Sequence, residues 1–129
     1  MNIPTDLKFT EQDEWVRVEG NTASMGISDF AQDQLSDIVY VEILVSEGED
    51  VSKGDSCATL ESVKAAADVY IPVSGKIVAV NEDLADTPEV VNSDPYGDAW
   101  MVKIEMSDSS ELDKLMDAEA YTKAIEEKE

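Results

Sequence analysis

The interpretation of this chain depends on residues 51–77, which read V-S-K-G-D-S-C-A-T-L-E-S-V-K-A-A-A-D-V-Y-I-P-V-S-G-K-I. Lys64 lies near the centre, between turn signals at Gly54 and Gly75. The apolar runs on either side predict two strands joined by a turn at residues 62–65. Residues 51–55 and 73–77, on the two sides of Lys64, both contain a valine followed by a glycine turn. Either a quasi-two-fold axis relates the two halves of the stretch and puts Lys64 at an exposed hairpin tip, or the stretch forms two ordinary hairpins with similar turns.

Apolar runs and alternating polar and apolar residues predict short strands both within this stretch and outside it. The predicted strands cover residues 14–18, 22–27, 38–45, 57–61, 68–71, 76–80 and 99–104, and 38–45, the most apolar run, is expected to be buried. Helices are predicted from Ser28 or Asp29 to residues 36–37, from Ser107 or Asp108 through residue 116, and over residues 118–126. We therefore expect one domain, residues 1–129, with a mostly β fold: a small barrel or sandwich of antiparallel strands, a short helix after the N-terminal hairpin, and C-terminal helices packed outside.

The net charge of the chain restricts the classes of partner that it is expected to bind. Nine Lys and Arg residues face thirty Asp and Glu residues, which gives a net charge of −21. Nucleic acids and anionic membranes both need a basic surface, so this balance argues against either and favours basic partners. The sequence contains no run of 18 apolar residues, so no membrane-spanning helix is expected.

The chemically reactive residues are few. The 129 residues include no histidine and one cysteine, Cys57, which its apolar neighbours predict to be a buried thiol. A histidine base, an imidazole metal ligand, an internal disulfide and a thiolate zinc cluster are thereby excluded, and no calcium-binding loop motif is present, so we expect no metal site. This composition favours a carrier or binding module over an enzyme, and a reducing, cytoplasmic location.

The centre of the chain resembles a known modification site. The motif E-S-V-K-A at residues 61–65, framed by Gly54 and Gly75, is similar to the lipoylation site of lipoyl domains. In that family a lysine projects from a tight β-hairpin and its amine is acylated by lipoic acid. Related biotinyl domains usually flank their lysine with methionines, whereas Val63 and Ala65 stand at those places here.

Further motifs narrow the resemblance to the H-protein family of the glycine cleavage system. They are D-E-W-V at 13–16, G-I-S-D-F-A-Q at 26–32, V-N-S-D-P-Y-G at 91–97, W-M-V-K-I at 100–104 and E-L-D-K-L-M-D-A-E-A-Y at 111–121, and together they span nearly the whole chain. The sequence departs from the family at Asp13 and Phe30, where histidine is usual, and at Ala99, where glycine is common.

The resemblance implies a lipoyl-domain-like barrel-sandwich hybrid and a covalent cofactor carrier acting in glycine catabolism and one-carbon metabolism. Lipoate would be attached to Lys64, with Glu61, Ser62, Val63 and Ala65 forming the site around it. The resemblance implies three enzyme partners in the reaction cycle. A pyridoxal-phosphate glycine decarboxylase loads an aminomethyl group, an aminomethyltransferase passes that group to tetrahydrofolate, and dihydrolipoamide dehydrogenase reoxidises the dithiol. Lipoate-attaching enzymes are further implied partners. The carrier is a cosubstrate of these enzymes, and we expect a monomer.

The resemblance also implies a surface cleft that shelters the loaded arm. The acidic residues that line this cleft in the family correspond to Glu14 and Asp68 here. Gln12 stands at a position where a hydroxyl residue of the family can help to hold the loaded arm. The competing interpretations are that Glu14 is a solvent-facing strand residue and that Asp68 belongs to a hairpin turn. Residues 91–97 either border this cleft or form a plain structural loop.

Two other functions are compatible with the same residues. Lys64 could be the site where lipoate is assembled before transfer to other enzymes. Alternatively, the chain could be an unlipoylated binding module that retains the fold. The mass of the peptide that contains Lys64 separates a carrier from an unmodified scaffold.

Overall fold

The structure, a computed structural model, describes residues 2–128. In chain order this part of the protein contains nine strands, three α-helices and two short 3-10 helices: β1 (Lys8–Phe9), β2 (Glu14–Glu19), β3 (Thr22–Ile27), α1 (Asp29–Leu35), β4 (Ile38–Ile43), β5 (Asp50–Val51), β6 (Ser56–Ser62), β7 (Ala66–Tyr70), β8 (Gly75–Val80), a 3-10 helix (Glu82–Ala85), α2 (Val90–Ser93), β9 (Val102–Met106), a 3-10 helix (Ser109–Lys114) and α3 (Ala118–Lys128).

The strands form two antiparallel sheets. The larger sheet has the order β1-β2-β3-β9-β8-β5 and the smaller one has the order β4-β6-β7. Their apolar faces meet in one cluster of buried side chains, in which Leu60 of the small sheet and Ile77 and Ile104 of the large sheet are almost fully buried. This arrangement confirms the predicted mostly β barrel-sandwich of antiparallel strands.

The N-terminal hairpin and the helix after it follow the sequence prediction closely. Gly20 adopts a φ of 64° in the turn between β2 and β3, a backbone conformation that glycine tolerates best. The hydroxyl of Ser28 then accepts a 3.2 Å hydrogen bond from the Ala31 amide and caps α1. The helix ends at Leu35, one residue before Ser36, whose φ of 66° turns the chain into β4.

The strand predicted at residues 38–45 is shorter and less buried than expected. β4 ends at Ile43, and the side chains of Val39 and Tyr40 are 54% and 45% exposed. β4 is an edge strand of the small sheet, and an irregularity in its pairing with β6 lies between Ile38 and Tyr40. The prediction of a buried strand was therefore wrong for half of this run, because apolar composition does not distinguish a covered face from an open one.

Two boundaries near the C-terminus also differ. The predicted strand at 99–104 begins only at Val102, because the side chain of Asn81 donates hydrogen bonds to the carbonyls of Asp98 and Trp100 and holds them outside the ladder. The helix predicted through residue 116 is a 3-10 helix that ends at Lys114. Met116 instead exchanges two 2.8 Å backbone hydrogen bonds with Phe9.

A second buried cluster joins α3 to the larger sheet. The rings of Phe9 and Tyr121 stack with their centroids 4.4 Å apart, and Trp15 and Phe30 are buried in the same cluster. α3 confirms the helix predicted at 118–126 and lies outside the sheets, against β1. Within residues 2–128, none of the helices has both the length and the apolar composition needed to cross a membrane.

Candidate functional site

Lys64 lies at the tip of the hairpin that β6 and β7 form. The hydroxyl of Ser62 accepts hydrogen bonds from the backbone amides of Lys64 and Ala65, at 3.1 and 2.9 Å. The amide of Ser62 donates a 2.8 Å bond to the carbonyl of Ala65, which closes the turn. One short polar side chain therefore fixes the backbone on both sides of the lysine, a common use of serine in tight turns.

The tip is also tied to the end of α1. The amide of Val63 donates a 3.0 Å hydrogen bond to the carbonyl of Asp37, and Nζ of Lys64 lies 3.4 Å from the carbonyl oxygen of Gln34. The Lys64 side chain is exposed. Its amine is therefore accessible from solvent while the backbone that carries it is anchored at two places.

The other residues of the motif have different positions. Glu61 pairs with Ala66 across the hairpin, and its side chain is exposed. Gly54 adopts a φ of 95°, and its amide donates to the carbonyl of Ile71. Gly75 pairs with Val51. The two framing glycines thus meet requirements of the fold rather than contacting the lysine tip.

A cleft of about 190 Å³ opens beside the tip. Its walls are the loop before β2, one side of α1 and the middle of β7, and Gln12, Glu14 and Asp68 all line it. Gln34, whose carbonyl faces Nζ of Lys64, lines it as well. The structure therefore brings the three residues predicted for the arm cleft to one surface depression that begins next to Lys64.

Glu14 is the most unusual residue of this cleft. Its side chain is 1% exposed, so the interpretation of Glu14 as a solvent-facing strand residue is wrong. The hydroxyl of Thr10 donates a 2.8 Å hydrogen bond to Oε1, and the amide of Tyr70 donates a 3.0 Å bond to Oε2. Burial outweighs these two hydrogen bonds and raises the pKa of Glu14 to about 7.

Asp68 and Gln12 complete the polar lining. Asp68 lies within β7, opposite Thr59, so it is not a hairpin-turn residue, and its side chain is exposed. Gln12 is exposed in the loop before β2. Glu14 also borders a second cavity of about 340 Å³, but Lys53 and Lys114 line that one. The cleft beside Lys64, with carboxylates in its walls, is the one suited to a cation.

Several residues of the site could not be identified from the sequence. Ala31 and Leu35, one helical turn apart, form the wall that α1 contributes to the cleft. Both are apolar residues at helical spacing in the sequence, but nothing local shows which element they meet. Thr10, the hydrogen-bond donor to Glu14, gave no signal in the sequence at all.

Residues 91–97, which the sequence predicted as a loop, comprise the end of α2 and the loop that follows it, and they have a structural role. Asn92 accepts a 2.8 Å hydrogen bond from the Ile38 amide, and its side-chain amide donates to Oε1 of Gln32 and to the carbonyl of Ser36. These contacts tie the end of α1 to β4, whereas the residues that line the cleft include none from this loop. The plain structural interpretation of the loop is therefore the one that the contacts favour.

Cys57 is placed as the sequence predicted. It is fully buried, and burial raises the pKa of its thiol to about 12, so the thiolate is disfavoured. Among the residues that the structure describes, no group of three or more His, Cys, Asp or Glu side chains is arranged to hold a metal ion.

Comparison with known proteins gives the family. The family model described as Glycine cleavage H-protein matches residues 7–128. The chain belongs to the glycine cleavage H-protein family. It is 56% identical over 127 residues to the "Glycine cleavage system H protein" of Shewanella loihica, covering 98% of each chain. It is 51% identical over 125 residues to the protein of the same name from Carboxydothermus hydrogenoformans, covering 97% of this chain and 95% of the other.

A solved structure shares the fold of this H-protein family member. The crystal structure of a glycine cleavage system H protein from Mycobacterium marinum superposes with a TM-score of 0.83 at 33% identity, covering 93% of this chain and 96% of the other. The three positions at which the sequence was expected to depart from the family pattern have structural roles here, and Ala99 is buried in the main core. Phe30 is buried in the cluster under α3, and Asp13 accepts a hydrogen bond from Tyr121.

Proposed function

We propose that this H-protein family member is the lipoyl-carrying shuttle of the glycine cleavage system, with lipoate attached to Lys64. The observation that carries the proposal is the placement of one exposed lysine on an anchored hairpin tip, directly beside a cleft that is lined by three acidic residues, Asp13, Glu14 and Asp68. A carrier needs both parts, because a mobile arm must be presented to enzymes and must be sheltered between them.

The attachment is an acyl transfer to the Lys64 amine. The unprotonated Nζ attacks the carbonyl carbon of an activated lipoyl donor, a mixed anhydride or a thioester. The carbon–nitrogen bond forms, the bond to the leaving group breaks, and Nζ loses a proton. The product is a neutral amide, so the chain loses one positive charge. The exposed amine and the small neighbour Ala65 leave room for an enzyme to enclose the tip.

When bound, the lipoyl group supplies a disulfide that is reduced as it accepts the aminomethyl group and is reoxidised after that group is passed on. The proposed partners are the pyridoxal-phosphate glycine decarboxylase, the aminomethyltransferase that uses tetrahydrofolate, and dihydrolipoamide dehydrogenase. Each of these enzymes supplies its own catalytic groups, so the chain itself acts as a carrier and not as a catalyst. The buried thiol of Cys57 suits a reducing cytoplasm.

The residues of the cleft have a distinct task. The aminomethyl cargo bears an amine that is protonated at neutral pH. Carboxylates in a partly enclosed cleft attract such a cation more strongly than carboxylates in bulk water do, because the effective dielectric constant is lower. Glu14 and Asp68 would supply the opposite charge, and the side-chain amide of Gln12 would supply a further hydrogen bond. We propose that these three residues hold the cargo and exclude water between enzymes.

The test begins with lipoylation. Protein made in cells that can attach lipoate is expected to gain one lipoyl mass on the peptide that contains Lys64. Lys64→Arg is expected to show neither this mass nor any glycine-dependent decarboxylation in a reconstituted system. Lys53→Arg is the matched control, since Lys53 is also an exposed loop lysine, and it is expected to behave as the wild type. Unmodified wild-type protein, or full activity of Lys64→Arg, would overturn the proposal.

A further inference from the structure

Three large apolar side chains stand exposed next to the lysine tip. Val63, Val39 and Tyr40 are 69%, 54% and 45% exposed. Val63 directly precedes Lys64, and the other two belong to β4, the strand beside the hairpin. We call these three residues the tip patch. These three side chains belong neither to the buried core nor to the lining of the cleft. Single exposed apolar residues are common on protein surfaces, but a group of them at one place indicates an interaction site.

The strand register explains why Tyr40 faces outward, and the turn explains Val63. Tyr40 lies opposite Glu61 and both side chains are exposed, so they belong to the outer face of the small sheet. Val63 lies just past the end of β6, in the exposed turn that carries Lys64. The irregularity at Val39 leaves two consecutive β4 residues exposed, where regular alternation would have turned one of them inward.

The surroundings of the tip patch are acidic. Asp37, Glu42 and Glu61 are exposed beside it, on the same strands or on the turn that precedes β4. Along the sequence, no lysine or arginine occurs between Arg17 and Lys53. The surface around the tip therefore combines exposed apolar side chains with acidic neighbours and the amine of Lys64.

We infer that the tip patch is the docking surface for the enzyme that acylates Lys64, and that this enzyme presents an apolar pocket with a basic rim. The inference rests on the lipoylation of Lys64 proposed above. To reach Nζ on so short and anchored a turn, an active site must cover the surface that flanks the turn, and that surface is the tip patch. The acidic neighbours favour a basic enzyme surface and disfavour a second copy of this chain, whose net charge is −21.

The tip patch contributes binding and not chemistry. The acyl transfer is the one described for Lys64, and the patch holds the two proteins together while it occurs. Its substitution should therefore raise KM far more than it lowers kcat. Because the acidic neighbours act mainly through long-range attraction, added salt should slow the reaction as well.

The experiment follows lipoylation of the unmodified protein by intact mass, using a purified lipoate-attaching enzyme with lipoate and ATP. Tyr40→Ser alone and the triple variant Val39→Ser/Tyr40→Ser/Val63→Ser are compared with the wild type. The control is Leu44→Ser, which removes a side chain that is 46% exposed just beyond the end of β4. Circular dichroism shows whether each variant is folded. If the triple variant does not fold, the comparison of Tyr40→Ser with the wild type still tests the inference.

The triple variant is expected to lower kcat/KM at least tenfold through KM, with Tyr40→Ser intermediate and Leu44→Ser within twofold of the wild type. Glu42→Gln/Glu61→Gln is expected to weaken the salt dependence. Equal rates for wild type and the patch variants, or an equal loss in Leu44→Ser, would overturn the inference while leaving lipoylation itself intact. Wild-type dimers that the triple variant abolishes would assign the patch to self-association instead. If the wild type is never acylated, the proposed function fails first.

Discussion

The phenolic hydroxyl of Tyr121 donates a 2.9 Å hydrogen bond to Oδ1 of Asp13 and lies 2.6 Å from Oγ of Ser28. Asp13 lies between Gln12 and Glu14 on one wall of the cleft, and Ser28 caps α1, which forms the opposite wall. A single residue of the C-terminal helix therefore contacts the supports of both walls. The position of α3 and the shape of the cleft are coupled through this hydroxyl.

Tyr121→Phe should destabilise the fold by about 1–3 kcal/mol, because it removes the hydroxyl and leaves two polar partners without it in a mostly buried place. The ring still stacks on Phe9 in this variant, so the decrease in the free energy of unfolding measures the contribution of the hydroxyl's hydrogen bonds alone. Urea unfolding measures the change. Tyr40→Phe is the matched control: it deletes the same atom from a half-exposed side chain and should change the free energy of unfolding by less than about 0.5 kcal/mol. Equal effects of the two substitutions would contradict the coupling.

Glu14 should give the stability of the protein a characteristic pH dependence. Its pKa is raised from 4.5 to about 7, so between these values the folded state holds a proton that the unfolded state has released. The free energy of unfolding must then fall as pH rises from about 4.5 to 7 and level off above 7. The contribution of this one group is at most about 3 kcal/mol.

Glu14→Gln isolates that contribution, because the amide stays neutral and can still accept the hydrogen bond from the Tyr70 amide. Relative to the wild type, the variant should be similarly stable at pH 5 and more stable by up to about 3 kcal/mol at pH 8. Chemical unfolding at several pH values checks this difference. Glu19→Gln, at the exposed end of β2, should leave the pH profile parallel to that of the wild type. A parallel profile for Glu14→Gln would show that Glu14 ionises normally.

The sequence predicted the elements where one local signal dominates. A turn glycine at Gly20, a serine cap at Ser28 and the polar and apolar residues that alternate over 16–19 each act within a few residues, so the hairpin and α1 were predicted correctly. β4 was predicted less well, because the exposure of Val39 and Tyr40 depends on what covers the sheet from outside. That is a property of the tertiary arrangement, and composition does not contain it.

The site divides in the same way. Lys64 and its turn were identified because the motif is contiguous and its geometry is local. The burial of Glu14 was not predicted, since the Tyr70 amide, 56 residues away in the sequence, reaches Glu14 only after β2 and β7 come together. The link between Tyr121 and Asp13 spans more than a hundred residues, and its two side chains give no pairing signal in one sequence.

Loss of the cleft carboxylates should shorten the life of the aminomethyl cargo on the isolated, loaded protein. Glu14→Ala should speed the release of the aminomethyl group about fivefold, which corresponds to about 1 kcal/mol of electrostatic attraction. The Glu14→Ala/Asp68→Ala pair should release the group faster still. Formaldehyde or ammonia release over time gives the rate. Glu19→Ala is the control for a lost surface charge and should not change the decay. Unchanged decay in Glu14→Ala, in Asp68→Ala and in the pair would show that these carboxylates do not protect the cargo.

The two glycines that frame the lysine motif should respond differently to side chains. At Gly75 a Cβ would overlap the carbonyl oxygen of Glu105 on β9, so Gly75→Ala should cost about 3 kcal/mol or more whatever the residue's conformational preference. At Gly54 a Cβ would meet open space, and only the φ of 95° opposes it, at about 1–2 kcal/mol for Gly54→Ala. Asparagine tolerates left-handed backbone, so Gly54→Asn should be milder than Gly54→Ala, whereas Gly75→Asn should be at least as harmful as Gly75→Ala. Urea unfolding of the four variants decides this, and a rescue at Gly75 by asparagine would show that backbone conformation, not contact with β9, requires that glycine.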